Sequence, residues 1–486
     1  MSVFAGIDIG TSGIKVALID ADGTCLASAA RPCAVDIPHP GWSQQDPDLW
    51  WTLTAEAFDE LAAMRPDLTA RLTGIGLSGQ MLGQVLIDAA DRPTTPCILW
   101  NDQRSLAECA ELLDRVPDIG WRTNGQPDPG LTAPKLLWLA KHAPEALDRA
   151  DMLMLPKDYV RLKLTGERAS EVTDASGTQM MDCATGAWDD ELVAAAGWDC
   201  ARLPGLLLPA DMAGQLRPEL CGRWGTPSMV PVAAGCGDNY AGALGIGAAR
   251  AGEAALSIGT SGVLSAVDSR FHPAPDRAIL TTPHAVPGTF LSMGVVMSAT
   301  QSLDWLGRLT DTPPAELARR AGERAQEGPL DRLPVARPAI TGIRTPDNRP
   351  DAAGFVGGLT AGSSKADLAY AVLEGVAFQF FDCYSAQRAA GVPIDSVQAV
   401  GGGTRSVFWV SLIATLLDRP IAIPEGGDIA ACLGAARLGQ AATCPAEAGA
   451  ILARKPPAAA TVAPVTAWAD ALAERYGAFR RLPFTV

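Results

Sequence analysis

The sequence contains few residues of the types that bind transition metals. It has 4 His among 486 residues, and they form neither an HExxH motif nor a closely spaced pair, so no histidine metal site is expected. The 11 Cys are odd in number, scattered along the chain and without a CxxC pair, which gives no sign of a zinc ribbon or a disulfide framework. Because reduced thiols fit the cytoplasm best, we expect a cytoplasmic protein.

Excess positive charge and long apolar runs are also lacking. There are 39 Lys and Arg against 54 Asp and Glu, a formal net charge of −15, which argues against nucleic acid or an anionic membrane as a partner. No apolar run reaches the roughly 18 residues of a membrane span, and the residues after Met1 do not resemble a secretory leader. An anionic substrate would therefore need a local device, such as backbone amides or a metal ion.

Two common nucleotide-binding signatures are missing as well. The chain has no GxxxxGK(S/T) P-loop, and no GxGxxG turn opens a helix after the first predicted strand, so a Rossmann-type dehydrogenase has little support. With 48% hydrophobic and 19% charged residues, the composition suits a globular protein. The length predicts two or more domains.

The N-terminal segment predicts an antiparallel meander. Apolar stretches at residues 3–8 and 15–19 are separated by a glycine-rich turn, and a third strand is expected near Thr24 after an Asp-Gly turn. Apolar residues at helical spacing predict a helix over residues 47–64, followed by a short buried strand at 75–78. This alternation is typical of a mixed sheet flanked by helices.

A short repeat divides the chain. The sequence Ile-Gly-Thr-Ser-Gly occurs at residues 9–13 and again at 258–262, each time in a strand-like context. Two similar lobes whose glycine turns close on one ligand would explain it, although a five-residue match also arises by chance in a glycine-rich chain. We place the lobe boundary near residues 242–256, which contain four glycines. Pro-rich residues 455–464 are interpreted as a surface connection before a last helix.

The first copy of the repeat follows a carboxylate at the end of a predicted strand. Asp8 precedes a turn whose backbone amides are free to bind an anion, because glycine permits close approach and positive φ. Thr11 and Ser12 add hydroxyl donors. The alternative interpretation is an ordinary hairpin turn.

A second carboxylate stands among small residues. Asp238 lies in the segment Ala-Gly-Cys-Gly-Asp-Asn at residues 234–239, directly after an apolar stretch. A carboxylate with so little bulk around it is open to a substrate hydroxyl and is suited to accept its proton during attack on phosphorus. The alternative is a turn Asp that caps the following helix.

A third glycine-rich segment, Gly-Gly-Gly-Thr-Arg-Ser at residues 401–406, precedes an apolar helical stretch. Backbone amides at a helix N-terminus favour phosphate, and consecutive glycines let a flat base approach the main chain. Taken alone this signal is weak. The apolar positions of the helix are interpreted as core.

These segments, in this order, resemble the FGGY carbohydrate kinases, which are related by fold to actin and hexokinase. Residues 130–138 (GLTAPKLLW) and 354–374 are similar to the two long motifs of that family, and the resemblance spans about residues 3–440. It implies an α/β, two-lobed actin/hexokinase-like (ribonuclease H-like) fold with a mixed sheet in each lobe and an interlobe cleft. Residues 1–245 would form a mainly sugar-binding lobe and residues 246–486 a mainly ATP-binding lobe.

Within that family the chain is most similar to the xylulokinases, and short segments carry this likeness: residues 40–47, the Trp pair at 50–51, and residues 79–81, 98–102 and 155–159. The resemblance implies phosphorylation of a small ketose, D-xylulose to D-xylulose 5-phosphate, with ATP and Mg²⁺. The alternatives are a kinase of another pentulose, of the deoxy-ketose 1-deoxy-D-xylulose or of a polyol, and, in another class, a non-catalytic sugar or nucleotide sensor.

The resemblance also implies roles for individual residues. Asp238 would be the general base, and Asp8 would organise Mg²⁺, through water, together with the transferring phosphate. The residues implied for the sugar pocket are Met81, Leu82, Trp100, Asp102, Asp238 and Asn239. Those implied for ATP and phosphate are Gly10, Thr11, Ser12, Gly259, Thr260, Gly402, Gly403 and Arg405.

Two positions depart from the xylulokinase pattern. Leu82 stands where those kinases carry a sugar-binding His, and Ile343 stands where they carry Glu. Loss of the His removes a polar partner and leaves an apolar wall, so the identity of the sugar stays open. The oligomeric state is also open, with a homodimer as one option.

Overall fold

The computed structural model describes residues 2–485. It contains two seven-stranded mixed sheets, one built from the N-terminal half and one from the C-terminal half, with helices packed against both. This confirms the two-lobed α/β architecture predicted from the sequence. Among the helices of residues 2–485, none combines the length and the apolar character that a membrane crossing requires.

The N-terminal sheet begins with the predicted meander. Val3–Ile9 pairs antiparallel with Gly13–Asp20, which pairs antiparallel with Cys25–Pro32. Leu72–Gly79 then adds parallel to Val3–Ile9 on its other side. The helix Pro47–Met64 has the predicted bounds, and it begins where the side chain of Asp46 caps its first turn. The sheet is completed by Pro231–Ala233, Met212–Gln215 and the short Cys236–Gly237, which pairs with Leu72–Gly79.

The segment between Leu72–Gly79 and Met212–Gln215 forms a smaller, mostly helical unit. Much of it has its own apolar core, while Pro156–Thr165 packs into the main core of the sheet. Its helices are Leu106–Arg115, Ile119–Arg122, Thr132–His142, Pro144–Arg149, Pro156–Thr165, Val172–Ala175 and Asp190–Ala195. Its strands are Val85–Ile87, Cys97–Ile98, Met152–Met154, Ala169–Glu171, Met181–Asp182, Ala187–Trp188 and Gly205–Leu207. Helices Pro218–Trp224 and Asp238–Ile246 follow it.

The C-terminal sheet repeats the pattern of the first. Its strand order is Leu280–Pro283, Phe290–Val296, Gly262–Asp268, Gly252–Ile258, Ile394–Val400, Ile421–Pro424 and Ala458–Val462. Gly252–Ile258 lies antiparallel to Gly262–Asp268 and parallel to Ile394–Val400, as the two matching pairs do in the first sheet. The helices of this half are Thr300–Thr310, Pro314–Arg324, Lys365–Ala389, Val407–Leu417, Ala430–Thr443, Ala448–Leu452 and Ala469–Arg480.

The interpretation of residues 455–464 as a bare connection was wrong. Ala458–Val462 forms the edge strand of the C-terminal sheet and pairs antiparallel with Ile421–Pro424. The prolines that suggested a loop flank this strand, and a sheet edge tolerates them because one side of the strand needs no ladder hydrogen bonds. The expected last helix is confirmed as Ala469–Arg480.

One helix from the C-terminal half packs on the N-terminal sheet. Carbonyls of Ala430–Thr443 lie so close to Gly6 and Gly76 that any Cβ at these two positions would overlap Cys432 and Ala435. Only glycine permits such an approach. The division at residues 245 and 246 therefore separates the strands of the two sheets but not this helix, and the assignment of ligands to the two lobes stays a prediction.

Candidate active site

Three neighbouring parallel strands of the N-terminal sheet end at one edge. Asp8 pairs with Ser78, and Cys236–Gly237 pairs with Ser78 and Gly79 on the other side. Because the carboxyl ends of parallel strands meet at the same edge, Asp8 and Asp238 lie near each other at this edge of the sheet, close enough for the charge of Asp8 to act on Asp238. The structure thus brings together the two carboxylates that the sequence singled out.

Asp238 is the first residue of the helix Asp238–Ile246 and is partly exposed. One of its carboxylate oxygens accepts a hydrogen bond from the backbone N–H of Asn239 at 2.7 Å, and no side chain of residues 2–485 hydrogen-bonds it. Burial, together with the negative charge of Asp8, raises its pKa to about 7. A carboxylate that titrates near neutral pH is well matched to general-base catalysis.

Asp8 faces the same rim with its own partners. The Ser78 hydroxyl donates to its carboxylate at 2.9 Å. Burial raises the pKa of Asp8, while this hydrogen bond and the positive charge of Lys15 act in the opposite direction. Lys15 pairs with Asp8 across the meander, and its ammonium donates to the carbonyl of Asp428 at 3.1 Å. Sequence reasoning treated Lys15 only as a strand residue, although counting the hairpin register back from the glycine turn places it opposite Asp8.

The first glycine turn is hydrogen-bonded to two residues distant in sequence, Gln80 and Trp100. The Thr11 hydroxyl donates to Gln80 at 2.8 Å and accepts from the Trp100 indole N–H at 3.0 Å. Gln80 in turn donates to Gln45 at 2.9 Å. The hydroxyl of Thr11 is therefore engaged within the protein, and its implied phosphate contact would come from the backbone. Gly10 and exposed Ser12 lie in the same turn.

Met81 and Leu82 are two apolar residues that each pack against a glycine, and the glycine beside Met81 is Gly237, the residue before Asp238. Any Cβ on Gly237 would overlap the sulfur of Met81, and any Cβ on Gly177 would overlap a methyl group of Leu82. Leu82 itself has a left-handed backbone, with φ of 74°. The sequence prediction did not foresee this conformation, which is rare for leucine.

The other residues implied for the sugar pocket have different surroundings. Trp100 is 48% exposed and Asn239 is also exposed, so both side chains are free to meet a ligand. Asp102 is fully buried, and its carboxylate accepts hydrogen bonds from the Arg104 guanidinium at 2.8 Å and from the backbone N–H of Ser43. The Asp102 carboxylate is thus enclosed and paired within the protein, and its contact with sugar stays a prediction.

A buried ionic cluster supports the segment that carries Asp238. The Lys157 ammonium lies 3.1 Å from both Glu171 and Asp174, all without solvent exposure. Glu171 accepts from the Thr173 hydroxyl, which accepts from the backbone N–H of Gly237 at 3.2 Å. Burial is the main cause that raises the pKa of Asp174 to about 8. Sequence reasoning missed Glu171, Thr173 and Asp174, because nothing in their local pattern indicates that they meet Lys157.

The predicted nucleotide residues of the C-terminal half also come together. Gly401 has φ of 97° and lies against Ile258, since any Cβ on it would lie 2.6 Å from the Ile258 carbonyl oxygen. The second glycine turn therefore touches the triple-glycine loop. Beside this loop a cavity of about 580 Å³ opens against helices Thr300–Thr310 and Pro314–Arg324, and its lining includes Gly402, Gly403 and Arg405.

Each glycine turn is closed by one internal backbone hydrogen bond, although the acceptors differ. The N–H of Gly10 donates to the carbonyl of Gly13 at 3.0 Å, whereas the N–H of Gly259 donates to the carbonyl of Ser261 at 3.0 Å. The exposed residue Thr260 accepts through its carbonyl from Ala299 at the start of the neighbouring helix. Both turns thus leave further amides unpaired at strand ends, as anion-binding turns require.

Comparison with known proteins agrees with this geometry. The model of the FGGY family of carbohydrate kinases, N-terminal domain, matches residues 3–245, and that of the C-terminal domain matches residues 254–443. The xylulose kinase of Escherichia coli (strain K12) is 40% identical over 445 residues, which cover 91% of this chain and 90% of that protein.

Solved structures show the same likeness over nearly the whole chain. The xyloylose kinase from Brucella ovis superimposes with a TM-score of 0.95 at 41% identity, covering 98% of each chain. The xylulose kinase from Rhodospirillum rubrum superimposes with a TM-score of 0.89 at 26% identity, covering 98% of this chain and 97% of that one. With its N-terminal and C-terminal family models both matched, and with two carboxylates at the ends of the strands that flank Leu72–Gly79, the chain belongs to the FGGY family of carbohydrate kinases.

Proposed function

We propose that this kinase transfers the terminal phosphoryl group of ATP to the 5-hydroxyl of D-xylulose, giving D-xylulose 5-phosphate and ADP. The observation that carries the proposal is Asp238, a partly exposed carboxylate with a pKa of about 7 beside a second carboxylate at the cleft. The relatives named xylulose kinase support the choice of sugar, because they align over about nine tenths of the chain.

In this mechanism Asp238 accepts the proton of the attacking hydroxyl as the new O–P bond forms and the bond from phosphorus to the leaving ADP oxygen breaks. Amides of the two glycine turns stabilise negative charge on the transferring group. Sugar binds mainly to the N-terminal lobe and ATP mainly to the C-terminal lobe. Closure of the lobes then excludes water that would hydrolyse ATP.

Asp8 is the residue that fits Mg²⁺. Carboxylate oxygens are ligands that Mg²⁺ accepts, and the ion usually keeps several of its waters. Within residues 2–485 no group of three or more His, Cys, Asp or Glu side chains is arranged to hold a metal, so contact through water to a single carboxylate fits better than a protein cage. The mutual repulsion of Asp8 and Asp238 favours a cation there. Bound with ATP, Mg²⁺ would neutralise phosphate charge.

A sugar panel at fixed ATP and Mg²⁺ tests the function. We expect D-xylulose to give the highest kcat/KM in an assay of ADP release. Asp238→Asn should fold, bind ATP and lose about 10² to 10⁴ in turnover, since it removes the base. Asp114→Asn is the matched control, because Asp114 is exposed and is not among the residues implied for sugar, ATP or Mg²⁺. Near-normal turnover of Asp238→Asn would contradict the role of Asp238.

A second candidate is a kinase of a deoxy-ketose such as 1-deoxy-D-xylulose, and Leu82 is the observation that favours it. An apolar side chain beside Met81 suits a methyl group better than a hydroxyl. A higher kcat/KM for a different pentulose or a polyol would select those alternatives, whereas sugar binding without any ADP release would select the sensor. Cytoplasmic location and a homodimer remain proposals, and light scattering of the purified protein tests the dimer.

A further inference from the structure

Lys135 is a buried cation that the proposed mechanism does not use. It lies in the helix Thr132–His142, within the first long family motif, and has no solvent exposure. No carboxylate of residues 2–485 forms an ion pair with it; its ammonium instead donates to two backbone carbonyls, that of Leu82 at 3.0 Å and that of Ile98 at 3.1 Å. A buried lysine without an ion-pair partner is rare, because its charge loses hydration.

The surroundings of Lys135 show how unfavourable its burial is. Loss of hydration lowers its pKa to about 8, despite the opposing effects of Cys97, Asp102 and Asp128. The positive charge of Arg104 lowers the pKa further. Since an apolar side chain would fill the same space without this cost, the hydrogen bonds of the ammonium are the feature that distinguishes lysine here.

One of the two carbonyls belongs to Leu82, the left-handed residue in the loop that contains Met81 and Leu82. The Leu82 carbonyl accepts from Lys135 and also from the Thr132 hydroxyl at 2.9 Å. Leucine rarely adopts a φ of 74°, so this backbone conformation needs support from its surroundings. Two donors from one helix supply it, and the absence of a side chain on Gly177 leaves room for the Leu82 methyl groups.

The other carbonyl belongs to the segment that leads to Trp100. Ile98 ends the short strand Cys97–Ile98, two residues before the exposed indole. Lys135 thus connects the loop with Met81 and Leu82 to the loop with Trp100, which are the two walls implied for the sugar pocket.

We propose that Lys135 and Thr132 are positioning residues that set the affinity for sugar: Lys135 fixes the two walls relative to each other, and Thr132 supports the wall that contains Leu82. This inference rests on the proposed sugar site and names the residues that shape it. Neither side chain reaches the sugar, and both act through backbone carbonyls.

The test compares four variants of the full-length protein, using the best sugar of the panel. Lys135→Met removes the ammonium donors with a side chain of similar length. Thr132→Val removes the hydroxyl donor, whereas Thr132→Ser keeps it. Lys141→Met is the matched control, because Lys141 lies on the same helix but pairs with Glu108 and Glu111 away from both walls. The KM for sugar, the KM for ATP, kcat and the melting temperature are measured for each.

We expect Lys135→Met to raise the KM for sugar about tenfold or more and Thr132→Val about threefold, which corresponds to the loss of hydrogen bonds that order a binding loop. The KM for ATP should stay within about twofold, Thr132→Ser should resemble the wild type, and Lys141→Met should leave both KM values unchanged.

Unchanged sugar KM in folded Lys135→Met and Thr132→Val proteins, with only a lower melting temperature, would overturn the inference. If Lys135→Met does not fold, the Thr132→Val and Thr132→Ser pair decides alone. A wild type that prefers another sugar to D-xylulose contradicts the proposed substrate while leaving this comparison intact with the preferred sugar. A wild type that phosphorylates no sugar contradicts both.

Discussion

Lowering the pH from 8 to 6 should remove the general base by protonating Asp238. Burial is the larger cause of its raised pKa and the charge of Asp8 the second. Because the raised pKa belongs to a carboxylate, the active ionised form exists above this value and is lost as the pH falls through it. An unperturbed Asp, with a pKa of 3.8, would stay ionised over the whole interval.

The size of the effect follows from the titration. With a pKa of about 7, roughly ten elevenths of Asp238 is ionised at pH 8 and roughly one eleventh at pH 6. The kcat/KM for sugar should therefore fall about tenfold over this interval, whereas an ordinary carboxylate would change it by less than about 2%. A shift of the midpoint by one pH unit would still leave a clear inflection between pH 5 and 9.

The assay should measure ADP directly after quenching, so that no coupling enzyme adds its own pH dependence. Excess Mg²⁺ keeps the terminal phosphate of ATP ionised throughout. Circular dichroism at each pH checks that the fold is retained. A flat profile between pH 6 and 8, or an inflection that persists in the residual activity of Asp238→Asn, would refute the assignment of Asp238 as base.

Three further outcomes are expected. Because the folded state holds the proton of Asp238 more tightly than the unfolded chain does, the free energy of unfolding falls as the pH rises from about 4 to 7, and the whole loss is present above that pH. Asp238→Asn should therefore melt at a higher temperature than the wild type at pH 8, and the difference in melting temperature should close towards pH 4. Equal melting temperatures at pH 8, measured by calorimetry, would contradict this. Gly10→Val and Gly259→Val should each raise the KM for ATP about tenfold by blocking approach to the turn amides, and normal ATP use by Gly259→Val would show that the second turn does not contact phosphate. The wild type should phosphorylate 1-deoxy-D-xylulose with a kcat/KM within about tenfold of that for D-xylulose, and Leu82→His should shift the ratio of the two kcat/KM values towards D-xylulose. A strong wild-type preference for D-xylulose that Leu82→His leaves unchanged would exclude Leu82 as a determinant of specificity.

The elements that the sequence predicted well are those with local signals. The meander that begins at Val3–Ile9 follows from alternating apolar stretches and an Asp-Gly turn, and the helix Pro47–Met64 follows from its Asp-Pro start and its apolar period. The placement of Asp8 at a strand end could be predicted for the same reason. That Asp8 lies near Asp238, more than two hundred residues away in the sequence, was implied by the family resemblance alone.

What the sequence did not predict depends on contacts between distant segments. The burial of Asp102 requires Ser43, and the left-handed Leu82 is supported by a helix that begins fifty residues later. The edge strand Ala458–Val462 forms because a partner strand is present, while its own residues are mostly small and flanked by proline. Local propensity carries no information on such pairing.

The contact between small residues of Ala430–Thr443 and the N-terminal sheet also affects the order in which the protein can fold during its synthesis on the ribosome. The last strand of that sheet, Cys236–Gly237, is translated about 190 residues before the helix that covers one of its faces. At roughly 5–20 residues per second, that face stays uncovered for about 10 to 40 s of synthesis. Nascent chains of intermediate length therefore present a glycine-lined, apolar surface, which is the kind of surface that chaperones bind. A protein released after residue 429 would retain every strand of the first sheet and still lack part of its core.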